Sequence, residues 1–181
     1  MATQAAAERK PVWLAERRGQ AVCGMGAAAL LQEPLVAFFA SRQCPGTTIR
    51  AGTQWALQQA RQRVVLVGGF HSPLEQSVLR LLLEAGGSAV LVLARPVAHA
   101  SLRSAWRDAL AAGKLALVSA SENTHRLSEK DATERNDLAA RLANRIVIAY
   151  ASPDGQLHRQ AQGWRLDGLS VDGIDQLNDA G

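Results

Sequence analysis

The sequence predicts an α/β protein with a three-layer, Rossmann-like, doubly wound and mostly parallel sheet. Two observations favour this fold class. Short, uninterrupted apolar runs recur along the chain, such as LVAFFA at 35–40 and IVIAY at 146–150, and these are typical of parallel strands covered on both faces. Segments with apolar residues at helical spacing lie between the runs. Repeated strand–helix alternation implies a parallel sheet with helices on both faces.

The most informative segment spans residues 63–87. Its apolar run at 64–67 predicts a buried strand, and Gly68-Gly69 then permits a tight turn. Ser72 is a candidate N-cap, followed by a proline and, three residues after the cap, by Glu75. The N–H groups of a helix start would thus stand where a strand ends, an arrangement that favours a bound anion. The alternative is that the turn serves packing alone.

Upstream of this segment the patterns are weaker. Residues 1–20 are rich in alanine and then in charge, which predicts an irregular or weakly helical lead-in. A short strand is expected at 21–23 and a central strand at 35–40. The loop 41–46 follows that strand, and Thr47 or Thr48 is expected to open a helix that reaches about Gln62.

Downstream, strands and helices continue to alternate. Further strands are predicted at 88–93, 115–118 and 146–150, and helices around Leu102, Trp106 and Leu110 and at 132–142. The polar stretch 119–131 is expected to be a surface loop, and the chain beyond residue 155 to be a β-hairpin arm or a loose tail. The predicted organisation is a lead-in at 1–20, a Rossmann-like domain at 21–157 and an arm or tail at 158–181.

Composition limits the classes of protein that fit. The chain has 181 residues, of which 48% are hydrophobic, enough for one folded domain with a sizeable core. No apolar run approaches the length of a membrane span, and the first residues lack the apolar core of a secretory signal. Two cysteines, Cys23 and Cys44, are too few for a disulfide scaffold. We therefore expect buried free thiols and a cytoplasmic protein without a membrane partner.

The charge distribution favours an anionic partner. The formal net charge is +4, and nearly all basic residues are arginines. The last sixteen residues hold four aspartates and no lysine or arginine, so the body of the chain is more basic than the total suggests. Arginine is well suited to forked contacts with phosphate. The alternative is a basic surface that serves solubility only.

Candidate binding residues gather at the predicted carboxyl ends of the strands, the edge at which such sheets bind ligands. They share the ability to contact an anion through arginines, hydroxyls or backbone N–H groups, or to stack on a base. They are Ser41, Arg42, Gly46, Gly68, Gly69, Phe70, His71, Ser72, Arg95, Arg135 and Asn136. Alternatives remain open: a surface ion pair for Arg42, helix capping or a core ion pair for Arg135-Asn136, and a hydrophobic plug for Phe70.

No catalytic constellation is visible in the sequence. The four histidines lie in separate segments without metal-ligand spacing, so we expect no metal and no resident cofactor. Glu75 suits capping better than acid–base chemistry, and Trp55 and Trp106 suit a core or an interface better than stacking. We expect a binding module rather than an enzyme. The alternative is a nucleotide-binding enzyme or sensor that uses His71 as its acid–base group.

Several segments together resemble the Rossmann-like domain of the DNA-processing protein A (DprA or Smf) family. The shared features are Ser41-Arg42 after the first main strand, the turn Gly68–Ser72 after the second, and Arg135-Asn136 before the last. The resemblance covers about residues 21–157. The turn here is shorter than the family's glycine-rich segment, and 181 residues leave no room for the family's flanking domains, so we expect a short stand-alone relative. The broader superfamily also holds phosphoribohydrolases, whose glycine-rich loop is not visible here.

The resemblance implies a ligand and partners. It implies binding of single-stranded DNA, or of another phosphate-bearing ligand such as a nucleotide, and a role in DNA processing and recombination. It also implies a recombinase as partner. On this interpretation Gly68–Ser72 would hold phosphate, and Arg42 and Arg135 would supply the charge. Separately, we expect a homodimer. A third possibility is a structural interaction protein in which this edge is empty and the apolar faces of extra segments form the dimer.

Overall fold

The computed structural model describes residues 12–178, which form one eight-stranded sheet with helices on both faces. The strands are β1 (Val12–Arg17), β2 (Gln20–Gly26), β3 (Leu35–Ala40), β4 (Val65–Gly68), β5 (Ser88–Val92), β6 (Leu115–Ser119), β7 (Arg145–Tyr150) and β8 (Val171–Gly173). The helices are α1 (Gly46–Arg61), α2 (Pro73–Glu84), α3 (Ser104–Ala111), α4 (Glu129–Leu142), α5 (Gln156–Leu166) and the short α6 (Asp175–Asn178).

The sheet has the order β1-β2-β6-β5-β4-β3-β7-β8. The six strands from β6 to β8 run parallel, whereas β1 and β2 form an antiparallel hairpin that joins the sheet through β6. The chain steps outward from β3 through β4 and β5 to β6, then crosses back to β7 on the other side of β3. This reversal creates a topological switch point at the carboxyl ends of β3 and β7. The doubly wound, mostly parallel sheet predicted from the sequence is confirmed.

Two apolar cores lie on opposite faces of the sheet. One contains buried residues of α1, α2 and α3, such as Trp55, Val78 and Ala109. The other contains buried residues of α4 and α5, such as Leu142 and Trp164. The strands between them are buried on both faces, and β6 has no exposed residue. This double burial explains why the strands appear in the sequence as continuous apolar runs.

The predicted lead-in at 1–20 is wrong over its described part, because residues 12–17 form β1. The side chains of β1 alternate between exposed and half-buried, as expected for an edge strand with one covered face. Arg18 and Gly19 both have positive φ, 51° and 76°, which is the backbone of a tight hairpin turn. The side chain of Trp13 covers Gly24, where a Cβ atom would lie only 2.1 Å from the indole ring. Residues 1–11 lie outside the described part.

The predicted arm or loose tail at 158–181 is also wrong over its described part. Residues 156–166 form α5, and β8 then pairs in parallel with β7. Trp164 is 2% exposed, stacks at 4.8 Å on Phe39, and donates a hydrogen bond from its Nε1 to Asp137. Smaller differences concern helix starts: α1 begins at Gly46 after Pro45, and α4 begins at Glu129 rather than at 132.

Candidate functional site

The candidate site lies at the carboxyl edge of the parallel strands. The loops after β3 and β7 meet at the switch point, where Ser41 donates its N–H to the carbonyl of Tyr150 at 2.8 Å. The hydroxyl of Ser41 accepts the N–H of Ser152 at 2.9 Å. Ser41 therefore holds two loops together, and Arg42 follows it on the exposed side of this junction.

The turn between β4 and α2 is closed by a buried carboxylate. Ser72 caps α2 by accepting the N–H of Glu75, and the Glu75 carboxylate accepts the N–H groups of His71 at 2.8 Å and Ser72 at 3.2 Å. Its other oxygen accepts the N–H of Ala40, at the end of β3, at 2.9 Å. The capping role predicted for Glu75 is confirmed. The expectation that the amides of this turn are free is wrong for His71 and Ser72, because the protein's own anion occupies them.

Glu75 is buried, and its surroundings shift the pKa of its carboxyl in opposite directions. Burial raises the pKa of its carboxyl, whereas the N–H donors of Ala40, His71 and Ser72 and the charge of Arg135 oppose that rise. The backbone donors that a bound anion would use are thus already engaged by the carboxyl group of Glu75. A ligand anion at this edge would have to be bound by side chains more than by these amides.

Arg135 is the buried cation nearest to this turn. It lies in α4, is 9% exposed, and packs against Gly69, where a Cβ atom would lie 2.3 Å from the guanidinium Nε. Glycine is therefore required at position 69 to admit the side chain. Its Nη2 donates to Asn136 Oδ1 at 3.2 Å, but its buried Nε has no hydrogen-bond partner among the described residues. Burial lowers the pKa of Arg135, and the charge of Glu75 opposes this shift.

The pKa of His71 is affected by burial and by the charges of three nearby arginines. This pKa is lowered to about 4 by partial burial and then by the charges of Arg135, Arg103 and Arg42. The residue keeps contact with solvent, and the three guanidinium groups add to the effect of desolvation. Their combined field disfavours a second positive charge at this point. The imidazole is therefore neutral near pH 7, able to donate or accept a hydrogen bond but not to contribute charge.

The structure brings some of the predicted residues together and leaves others apart. Arg42, His71 and Arg135 belong to one cluster around the turn, with Gly68 ending β4 and Gly69 beneath Arg135. Asn136 joins Arg135 to α5 through Gln160. Gly46 and Arg95 are exposed, and no hydrogen bond or ion pair among residues 12–178 connects them to this cluster. Their proposed binding roles remain predictions.

The stacking role considered for Phe70 is wrong for this structure. The residue has a positive φ of 49°, is only 4% exposed, and belongs to the core between the sheet and α1–α3. A side chain that is buried in this way is a plug rather than a platform. The burial of Phe70 agrees with the alternative given above, in which its side chain is a hydrophobic plug.

Arg103 is the functional candidate that the sequence analysis missed. It precedes α3, is exposed, and lies with its guanidinium 5.2 Å from the centre of the Trp106 ring. Its charge acts on His71 as those of Arg42 and Arg135 do. No local pattern marks this residue, because it stands in an irregular segment and reaches the cluster only through the packing of α3.

Over residues 12–178 no group of three or more histidine, cysteine, aspartate or glutamate side chains is placed to hold a metal ion. None of the described helices combines the length and the apolarity that crossing a bilayer requires.

The doubly wound sheet and the arginines gathered at its carboxyl edge define a Rossmann-like domain with a cationic edge. The family is shown by the sequence, since the model of DNA recombination-mediator protein A matches residues 13–162. The chain therefore belongs to the DNA recombination-mediator protein A family, and its Rossmann-like domain is that of a DNA-processing protein. A comparison with curated proteins gives no match.

Solved structures share the fold. DNA processing protein A from Helicobacter pylori, described with a single-stranded DNA binding mode, has a TM-score of 0.73 at 14% identity, over 91% of this chain and 80% of that one. DprA from Streptococcus pneumoniae has a TM-score of 0.70 at 16% identity, over 89% of this chain but 61% of that one. The molybdenum cofactor carrier protein of Chlamydomonas reinhardtii has a TM-score of 0.55 at 13% identity, over 78% and 76%.

Proposed function

We propose that this chain binds single-stranded DNA at the carboxyl edge of its parallel strands, with Arg42 and Arg135 as the phosphate contacts. The observation that carries the proposal is the guanidinium of Arg135. It is nine-tenths buried, yet its Nε has no partner among the described residues. A buried donor without an acceptor costs about 1–3 kcal/mol, and a phosphate oxygen is the acceptor that would remove this cost.

The surrounding charges support the same ligand. Arg42 and Arg103 are exposed, and neither forms an ion pair with a described residue. Two free guanidinium groups beside a buried third form a cationic edge rather than a single-phosphate pocket. Such an edge suits a chain of phosphates. Membership of a DNA-processing family and the DNA-binding mode described for the Helicobacter relative point to the same class of ligand.

The test is a titration of labelled oligothymidylate at several salt concentrations. We expect the affinity of the wild-type chain to fall steeply with salt, and Arg42→Ala to reduce the slope by about 0.7, the loss of one phosphate contact with a single strand. Arg61→Ala is the matched control, since Arg61 is exposed at the last turn of α1. Equal slopes for Arg42→Ala and the wild type would contradict the assignment. A shallow slope with saturation by a mononucleotide would favour the nucleotide-binding alternative with His71.

We also propose that the chain acts with a recombinase and assembles as a homodimer. Membership of the family supports both proposals. The exposed apolar residues at the edge strand β1, Val12 at 48% and Leu14 at 84% exposure, offer a surface on which a second copy could pair. Light scattering of the full chain measures the assembly state directly.

A further inference from the structure

A second concave surface lies beside the candidate site. It is a groove of about 790 Å³ between α2 and α3. Its walls are mostly apolar and include Phe70, Leu79, Leu83, Trp106 and Ala109. A concave, mainly apolar surface of this volume is within the range of ligand-binding sites, and the phosphate contacts proposed above do not use it.

The groove opens directly onto the cationic edge. Phe70 lies in the turn after β4, and Arg103 acts on His71, yet both residues also line the groove. From Pro73 at this end, the groove follows α2 as far as Gly86. Twelve residues of α2 correspond to about 18 Å, so the groove continues the cationic edge across the molecule.

The chemistry of the groove fits nucleobases. The Trp106 ring is half-buried, so part of it remains accessible, and the Arg103 guanidinium lies over it at 5.2 Å. Indole rings and guanidinium planes are the groups on which unpaired bases stack. On the rim, Glu84 is paired with Arg80 at 3.1 Å. Arg103 and Lys114 form no ion pair among the described residues, and Asp108 also lines the groove.

We propose that the groove between α2 and α3 holds bases of the same single strand whose phosphates bind at Arg42 and Arg135. This inference rests on the proposed function and extends it by giving the single strand a path over the protein. The path runs from the switch point, past the turn after β4, and along α2. The continuity of the groove with the cationic edge and the aromatic and guanidinium surfaces at its mouth support a nucleic acid as its occupant.

The test compares a short oligothymidylate of about 4 nucleotides with a long one of about 16, the range of site sizes for single-strand binders. In Trp106→Leu we expect roughly ten-fold weaker binding of the long strand, as loss of one stacked base implies, and unchanged binding of the short one. The long strand should also quench tryptophan fluorescence in the wild type and in Trp13→Phe but not in Trp106→Leu.

A second variant leaves the core untouched. Ser77 is half-buried and lines the groove, so Ser77→Glu places a negative charge there and should weaken the long strand selectively. Gln58→Glu on the exposed face of α1 adds the same charge outside the groove and should have no such effect. If Trp106→Leu and Ser77→Glu both bind the long strand like the wild type, the groove assignment is overturned while the proposed function stands. If the wild type binds neither oligonucleotide, both are overturned.

Discussion

Two buried or half-buried arginines, Arg135 and Arg17, differ in how fully the fold provides them with hydrogen-bond partners. Burying a charge is costly unless it is paired and hydrogen-bonded, and Arg135 has one internal hydrogen bond, to Asn136. Arg17 is the contrasting case. Its guanidinium donates to the carbonyls of Leu142 and Leu31 and to Asn144, so it fastens β1 to the body of the protein. The fold therefore satisfies the guanidinium of Arg17 and leaves the Nε of Arg135 without a partner among the described residues.

The difference between the two arginines leads to a prediction in which Arg17→Met is the control for Arg135→Met. We expect Arg135→Met to lose at least about ten-fold in affinity for oligothymidylate while the free energy of unfolding changes by less than about 1 kcal/mol, because the side chain gives up an unpaired donor. Arg17→Met should lose roughly 2 kcal/mol of stability through its hydrogen bonds and keep its affinity. Chemical denaturation and anisotropy measure both properties. A large loss of stability in Arg135→Met with unchanged affinity would make Arg135 a structural residue.

At the scale of the element, one carboxylate, that of Glu75, organises the turn between β4 and α2. Glu75 joins the end of β3, the turn after β4 and the start of α2 through three backbone donors. The sequence predicts the capping box, because Ser72 and Glu75 have the spacing of one. It does not reveal the bond to Ala40, because that contact depends on the packing of two strands. The amides of His71 and Ser72, at which the sequence predicts an anion site, are therefore already bonded to Glu75.

The helix that carries Arg135 has a capping box of its own. Ser128 accepts the N–H of Asp131, and Asp131 accepts the N–H of Ser128 at 2.7 Å and hydrogen-bonds its hydroxyl at 2.6 Å. Asn123 adds a third donor at 2.9 Å. These bonds, those of Ser128 first, lower the pKa of Asp131 to about 2. The polar stretch predicted as a loop therefore contributes the start of α4.

The lowered pKa of Asp131 gives a pH dependence with a defined sign. Because the carboxylate is favoured in the folded state, its contribution to stability is present above the ordinary aspartate pKa of 3.8 and is lost as the pH falls toward about 2. We expect Asp131→Asn to flatten the loss of thermal stability between about pH 4 and about pH 2. Glu122→Gln, at an exposed position in the same loop, should retain the wild-type profile. Parallel profiles for wild type and Asp131→Asn would contradict the capping role.

At the scale of the whole molecule, the sequence predicts the centre of the sheet better than its edges. The strands β3 to β7 are buried on both faces and appear as continuous apolar runs, which identify them without knowledge of their partners. The edge strands lack that property. β1 alternates along one covered face, and β8 has only three residues, all half-buried. Their formation depends on pairing with β2 and β7, which no local pattern records.

The same limit explains the predicted boundary near residue 157, which separates residues that belong to both cores from the rest of the domain. Trp164 of α5 packs on Phe39 of β3, and Ile174 after β8 is 1% exposed. A chain that ends at residue 157 would lose buried side chains from the cores on both faces of the sheet. The segment after the boundary is therefore part of the domain and not an appendage to it.

We accordingly predict that ending the chain at residue 157 abolishes cooperative folding. Loss of a buried tryptophan alone costs about 3–5 kcal/mol, a large fraction of the roughly 5–15 kcal/mol that stabilises a domain, and the pairing of β8 is lost as well. Circular dichroism during thermal unfolding measures the effect. Trp164→Phe, which keeps a ring against Phe39, should remain folded with a lower midpoint. A truncated chain that unfolds as cooperatively as the full one would show that the sheet is complete at β7.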